Sequence, residues 1–477
     1  MWIRVPQHRA RLALAGSAIV VLSGCASISP EQSIDRVNNE VTAFADGKLV
    51  LARSVEERQQ RIETAQKLLS APLGQSEAVR LALVNSQALQ ALLAQGWAES
   101  AEAVQTGRIA NPVLGFERIV TGDELELGRA LSFGLLDLLT LPARQQIAST
   151  RLEQARLRLA SEVVDHITRV RQAWVRAVAA QQMHQYAQQV FQSAEASAEL
   201  ARRMQSVGNF SRLSRAREQV FYADAATRLA TARHEAISSR EELIRLLGLD
   251  ASQAQLLQLP DRLPDLPRQA LEPQAVGALA TRARLDIRLA QSALDAAGKA
   301  QRLNVVTSMT DIEMAVRRDT QFDNAAGARS NSRGYEIGIR LPLFDWGGMQ
   351  RDAWNARTLA AANQLEATVR SAASNLRENY SAYRTAFDIA RHHRDEVIPL
   401  RKLISEENQL RYNGMIIGVF ELLADAREQI NTVMAAINAE QQFWLADAAL
   451  QASLIGRPAN VSLSAAPPAS SGGDEAH

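Results

Sequence analysis

The sequence predicts a mainly α fold in which two long coiled-coil helical hairpins alternate with two β-hairpins. Three observations lead there. Between Pro142 and Pro260 there is no proline, and only Gly208 and Gly248 interrupt the run. The apolar residues of the long polar stretches recur at steps of three and four. Two-residue alternation, strict before the second long stretch and broken once before the first, marks the short segments that precede them.

The chain starts with a targeting pattern. Arg4, His8, Arg9 and Arg11 precede an apolar run from Leu12 to Leu22, and Ser23-Gly24 follow as small residues. Residues 1–24 therefore read as a secretory signal peptide, too short at the apolar centre for a permanent span. "LSGCAS" at Leu22 to Ser27 resembles a bacterial lipoprotein signal. That likeness makes Cys25, the sole cysteine, an acylated anchor. Ala26 replaces the Asp that such signals use for inner-membrane retention, so outer-membrane sorting is expected. Residues 25–74 form a segment after the anchor. With no cysteine pair, the fold must be held by packing alone.

Pro142 to about Ser206 reads as one helix, with Pro142 in its first turn, where a missing N–H costs nothing. At about 1.5 Å per residue it would run roughly 95 Å. A second helix is expected from Ser211 to Leu247. Val163, Ile167, Val170, Trp174 and Ala177 alternate steps of four and three, as do Val369, Ala373, Leu376, Tyr380, Tyr383, Phe387 and Ala390. A 3.5-residue period keeps a narrow stripe toward a partner helix.

This unit occurs twice. Val207-Gly208-Asn209-Phe210-Ser211-Arg212-Leu213, running to Ala216-Arg217-Glu218-Gln219, aligns at an offset of 210 with Ile417 to Leu423 and Ala426-Arg427-Glu428-Gln429. Residues 75–258 and 274–457 are the two repeats. The proline-rich 259–273 is an extended linker, and 458–477 reads as a disordered tail. Pro399 should kink the second long helix near Val397 and Ile398.

For the strands, Gly334 to Leu343 puts Tyr335, Ile337, Ile339, Leu341 and Leu343 on one face. Its expected partner is about Val305 to Val316, across a polar loop at Arg318 to Arg333. In the first repeat Leu125, Leu127, Leu131, Phe133 and Leu135 share a face that Arg129 breaks. Val113 to Val120 is the expected partner, across Thr121-Gly122-Asp123-Glu124. Four strands cannot close a barrel, and an open edge cannot face lipid. A membrane wall would thus need several chains: eight strands for a dimer, twelve for a trimer.

"LPLFDWGGMQRDA" at Leu341 to Ala353, "RYNGMIIGVFELLADAREQI" at Arg411 to Ile430 and the matching first-repeat segments resemble the outer-membrane efflux factor family, of the TolC type. The resemblance covers about Gln75 to Pro458. It implies a homotrimer whose 12-stranded outer-membrane barrel continues into a periplasmic α-barrel. It also implies a periplasmic adaptor and an inner-membrane pump as partners, and an exit-duct role. One departure concerns Leu422 to Ala426, where Asp425 alone keeps a carboxylate at the end of the family's tip motif.

Candidate adaptor-contact tips are Val207, Gly208, Asn209, Phe210, Gly418, Val419 and Phe420. Candidate gate residues are Arg212, Arg215, Arg217, Glu218, Glu421, Asp425 and Arg427, with Arg of one repeat facing an acid of the other. His392-His393 with Asp388 and Glu396 could bind metal by spacing but read as a solvated face. No metal, cofactor or enzyme motif stands out, and a net charge of +1 gives no reason for a nucleic-acid partner. The competing reading is a lipid-anchored periplasmic coiled-coil scaffold without a pore.

Overall fold

A computed structural model describes residues 29–458, apart from 43, 275–283 and 324. The signal segment, Cys25 and all but the first residue of the expected tail lie outside the described residues.

Among the described residues four helices come first: α1 (Pro30–Val41), α2 (Val55–Leu68), α3 (Gln75–Asn85) and α4 (Gln87–Gln105). Ser54 and Glu57 close a reciprocal capping box that satisfies orphan N–H groups at the start of α2. Strands β1 (Val113–Thr121) and β2 (Glu124–Gly134) follow, joined by a two-residue turn with Gly122 at φ +61°. A short α5 (Leu135–Leu139) leads into α6 (Leu141–Ser206), α7 (Arg212–Leu247) and α8 (Ala251–Leu256). The second half runs α9 (Leu285–Thr307), β3 (Ile312–Asp323), β4 (Ala328–Ile339), α10 (Gly348–His392), α11 (Ile398–Asn413) and α12 (Val419–Ile455). The architecture is mainly α, with two long helical hairpins alternating with two β-hairpins.

Between α10 and α11 lies a π-turn over His393–Val397. Pro399 has no N–H for the Asp395 carbonyl, and its ring would strike that group. The helix absorbs this by widening one turn: the Ile398 N–H donates to the His393 carbonyl, five residues back. The distortion expected at Val397 and Ile398 thus lies mostly on their N-terminal side.

The main core surrounds the middle of α6. Val163, Ile167, Val170, Trp174 and Ala177 are all buried, packed by α1, α3, α4 and α12. The Trp174 indole N–H donates to the Leu73 carbonyl at 2.7 Å, which satisfies its one polar atom. A smaller core holds Tyr383, Phe387, Ala390, Phe443 and Leu450. The proline-rich linker straps across it. Leu266 is buried there, Tyr380 donates its hydroxyl to the Leu271 carbonyl at 3.1 Å, and Trp444 donates to the Pro264 carbonyl at 3.1 Å.

The second heptad seam is buried from Tyr383 onward, and Leu376 and Tyr380 are half-buried against the same core. Val369, by contrast, is 46% exposed and Ala373 is exposed, although Ala372 between them is buried.

The β-sheet has four antiparallel strands in the order β1-β2-β3-β4. The expected strand bounds are corrected, and Leu135 begins α5 instead of continuing β2. Val305 to Thr307 end helix α9, and strand β3 starts at Ile312. The expected loop at Arg318 to Arg333 is mostly strand, pairing Arg318 with Arg333 and Asp323 with Ala328. Both faces are polar there, so no alternation marks the strands, yet the backbone ladder continues. Leu341 and Leu343 lie beyond the end of β4.

Candidate functional site

The hairpin tips are built alike. At the end of α6 the Asn209 N–H donates to the Met204 carbonyl and the Gly208 N–H to Gln205, with Gly208 at φ +81°. After α11 the Ile416 N–H donates to Arg411 and the Met415 N–H to Tyr412, with Met415 at φ +57°. These are matching left-handed helix ends. They equate Gly208 with Met415 and the N-cap Ser211 with the N-cap Gly418, an offset of 207 and not 210. The sequence likeness is therefore three residues out of structural register. Three residues turn a helix to within about 60° of the same face, so similar residues can recur there. Gly418 itself is extended, φ −84°, and does not take the left-handed turn.

The tip aromatics are not both exposed. Phe210 is 9% exposed and stacks on Phe420 of the other hairpin, rings 4.6 Å apart and 24° from parallel. Val207, Met415 and Ile416 are the large apolar side chains left exposed at the two turns. Gly208, Asn209 and Gly418 are exposed, and Val419 is half-buried.

One pair of candidate gate residues meets within the chain. Arg427 Nη2 donates to Glu218 Oε1 at 2.6 Å, and its guanidinium lies 4.5 Å from the Phe221 ring centre. Glu218 is 2% exposed, so its carboxylate is desolvated, while Arg427 is half-buried. With the 207 offset, Glu218 and Asp425 hold the same place in their hairpins, seven residues after the N-cap. Each has one buried carboxylate oxygen with no partner among the described residues. Arg215 donates to Gln205 Oε1 at 2.7 Å, while Arg212, Arg217 and Glu421 are exposed. A cleft of about 490 Å³ beside the pair is lined by Leu213, Arg217, Val220 and Arg228 among others.

At the other end of the molecule the sheet has two chemically distinct faces. One carries Glu117, Glu126, Glu313, Arg317, Asp319 and Glu336 among glycines and serines. There Arg317 donates to Glu117 at 2.6 Å and to Asp319 at 3.0 Å. The opposite face carries cross-strand rows Phe133–Met314–Ile337 and Leu114–Leu131–Val316–Tyr335. Tyr335 and Ile337 are exposed, as are Leu341, Leu343, Phe344 and Trp346 just beyond. Among the described residues no strand pairs with the outer side of β1 or β4, so both are open edges.

No family model matches the sequence, and neither does any curated protein. Solved structures do match. A membrane protein from Pseudomonas aeruginosa gives a TM-score of 0.66 at 18% identity, over 82% of this chain and 93% of that one. The CmeC outer membrane channel of Campylobacter jejuni gives 0.66 at 13% identity, over 86% of this chain and 90% of that one. The MtrE outer membrane channel of Neisseria gonorrhoeae, in its open state, gives 0.64 at 18% identity, over 83% and 91%. The chain has the fold of these outer-membrane channels. The sheet and the hairpin tips lie at opposite ends of the long helices.

Among the described residues no cluster of His, Cys, Asp or Glu could hold a metal ion. His392 Nδ1 lies 3.2 Å from Glu396, and Asp388 is taken by Arg384 at 3.0 Å. Burial, and then neighbouring His392, hold the His393 pKa below the usual histidine value. Two further titratable groups, buried His166 and half-buried Asp447, escaped the sequence reading. Burial lowers His166 to about 4 and raises Asp447 to about 6, the latter beside Gln451 and Arg171. Neither has a spacing pattern that would flag it.

Proposed function

We propose that this chain belongs to the outer-membrane efflux factor family and is the exit duct of a tripartite efflux pump. The observation that carries this is the four-stranded sheet with an apolar exposed face, a polar face and two bare edges, joined to two long hairpins. Bare edges cannot stand in lipid, where each unpaired backbone group costs several kcal/mol. Three chains of four strands give twelve, an even number within the range of closed outer-membrane barrels. The exposed seam at Val369 would then be covered by a neighbouring protomer. Acylated Cys25 anchors the assembly to the outer membrane, and the hairpins extend into the periplasm as an α-barrel. The tips, where Val207, Met415 and Ile416 are exposed, meet a periplasmic adaptor bound to an inner-membrane pump. Arg427 and Glu218 tie the two hairpins of one protomer near the gate.

The test is assembly and conductance of the purified, lipidated protein. A homotrimer that conducts ions in a planar bilayer supports the duct. A monomer that retains its full strand content in detergent and never conducts would support the poreless scaffold instead.

A further inference from the structure

On the apolar face of the sheet, Arg129, Arg318 and Arg333 lie in one cross-strand row, Arg129 paired with Arg318 and Arg318 with Arg333. Neighbouring strands are about 4.8 Å apart, so the three positions span about 10 Å. All three residues are exposed. Like charges directly opposite across strands destabilise a sheet. Arg317, on the other face, is relieved by Glu117 and Asp319. Among the described residues no carboxylate lies within ion-pair distance of the three, so this face supplies no counter-charge of its own.

Their height on the wall is informative. Arg318 stands immediately beyond the row that contains Val316 and Tyr335, on the side away from the helices. From Ile339 to Arg333 is six residues, about 20 Å of strand, which a tilt of about 40° shortens to about 15 Å. Exposed Leu341, Leu343, Phe344 and Trp346 extend the apolar surface in the other direction. Together these approach the roughly 25 Å apolar band of an outer-membrane barrel. The row therefore sits at the headgroup level of the leaflet opposite the helices. Further out on the same face are Arg118 and Arg329.

We propose that Arg129, Arg318 and Arg333 bind the phosphate groups of the glycolipid in the outer leaflet, on the outward wall of the barrel. The proposal rests on the exit-duct reading. A planar guanidinium matches a phosphate with two parallel hydrogen bonds, and several phosphates on one sugar headgroup neutralise adjacent arginines together. The acyl chains then lie along Tyr335, Ile337 and Ile339.

The test titrates the detergent-purified full-length protein with lipopolysaccharide, and separately with the same glycolipid stripped of its phosphates. Wild type is expected to bind the phosphorylated form about tenfold or more tightly than the stripped form, from charge-assisted contacts alone. This comparison needs no variant. The combined Arg129→Gln, Arg318→Gln and Arg333→Gln variant should lose that preference while conducting with an unchanged reversal potential, and Arg317→Gln should keep it. Equal binding of both glycolipids by conducting wild-type trimers overturns the proposal and leaves the duct intact. A shifted reversal potential in the triple variant would put the arginines in the lumen and also overturn it. Wild type that neither assembles nor conducts removes the duct reading and the proposal with it.

Discussion

Phe210 and Phe420 stack across the two hairpins at 4.6 Å, so the two tips of the chain hold each other. Removing either ring should loosen both turns. Phe210 is the more buried, and truncating a buried Phe to Ala costs about 3–5 kcal/mol. Phe420→Ala, from a position 43% exposed, should cost less. The pair should couple by about 0.5–1.5 kcal/mol in a double-mutant cycle. Amide exchange at residues 207–211 and 414–420 measures this, and additive effects would mean that the stack contributes nothing.

The pair Arg427 and Glu218 makes a sharper prediction. Arg427→Ala strands a carboxylate that is 2% exposed, a loss of about 2–4 kcal/mol for breaking one side of a buried pair. Glu218→Gln keeps an acceptor for Arg427 and removes the charge, so it should cost less. If the pair restrains the gate, Arg427→Ala raises single-channel conductance and Glu218→Gln raises it less. Conductance unchanged in both variants would leave the pair a purely structural tie.

The architecture was legible because its signals are periodic. Pro142, Gly208 and Gly248 marked the bounds of the first hairpin, and Pro399 marked a distortion. The site was less legible for identifiable reasons. Arg129 looked like a flaw in an apolar strand, because its meaning depends on Arg318 and Arg333, which lie on other strands. The outer half of the β3–β4 hairpin is polar on both faces, so only its backbone pairing reveals it. The repeat was aligned on Ala-Arg-Glu-Gln, whereas the turns obey hydrogen bonding and equate Glu218 with Asp425. The stack of Phe210 on Phe420 depends on how two hairpins pack, which no local pattern encodes.

His166 and Asp447 give the stability curve opposing slopes. Burial, and then Arg169, lower His166 from 6.5 to about 4, so the native state resists its protonation. Its contribution is complete above about pH 6.5 and is lost as pH falls toward 4. Asp447 is raised from 3.8 to about 6, so its burial penalty is absent below about pH 3.8 and grows as pH rises to 6. The two should partly cancel between pH 4 and 6. Relative to wild type, His166→Gln should therefore gain thermal stability on acidification across that range, and Asp447→Asn should lose it. Melting midpoints at intervals from pH 4 to 7 check both signs, and parallel profiles for all three proteins would refute the assignment.

The two turns reach the same left-handed geometry with different residues, and that difference is measurable. Gly208 takes φ +81° with open space around the position a Cβ would occupy, so Gly208→Ala meets no clash and costs only the backbone term. That is about 1 kcal/mol for a residue with a Cβ in this region. Met415 already carries this cost at φ +57°, so Met415→Gly should relieve it and stabilise the second tip by up to about 1 kcal/mol, less the extra freedom Gly has when unfolded. Opposite signs are thus expected from substitutions at equivalent positions. Amide exchange at Asn209 and Ile416, whose N–H groups close the two turns, reads each effect directly. If Met415→Gly accelerates exchange at Ile416, the exposed Met side chain is stabilising its turn by some contact other than backbone geometry. Met415→Gly should also weaken capture of the periplasmic adaptor if this side chain is part of the docking face, whereas Gly208→Ala leaves Val207 and Met415 in place and should alter capture much less.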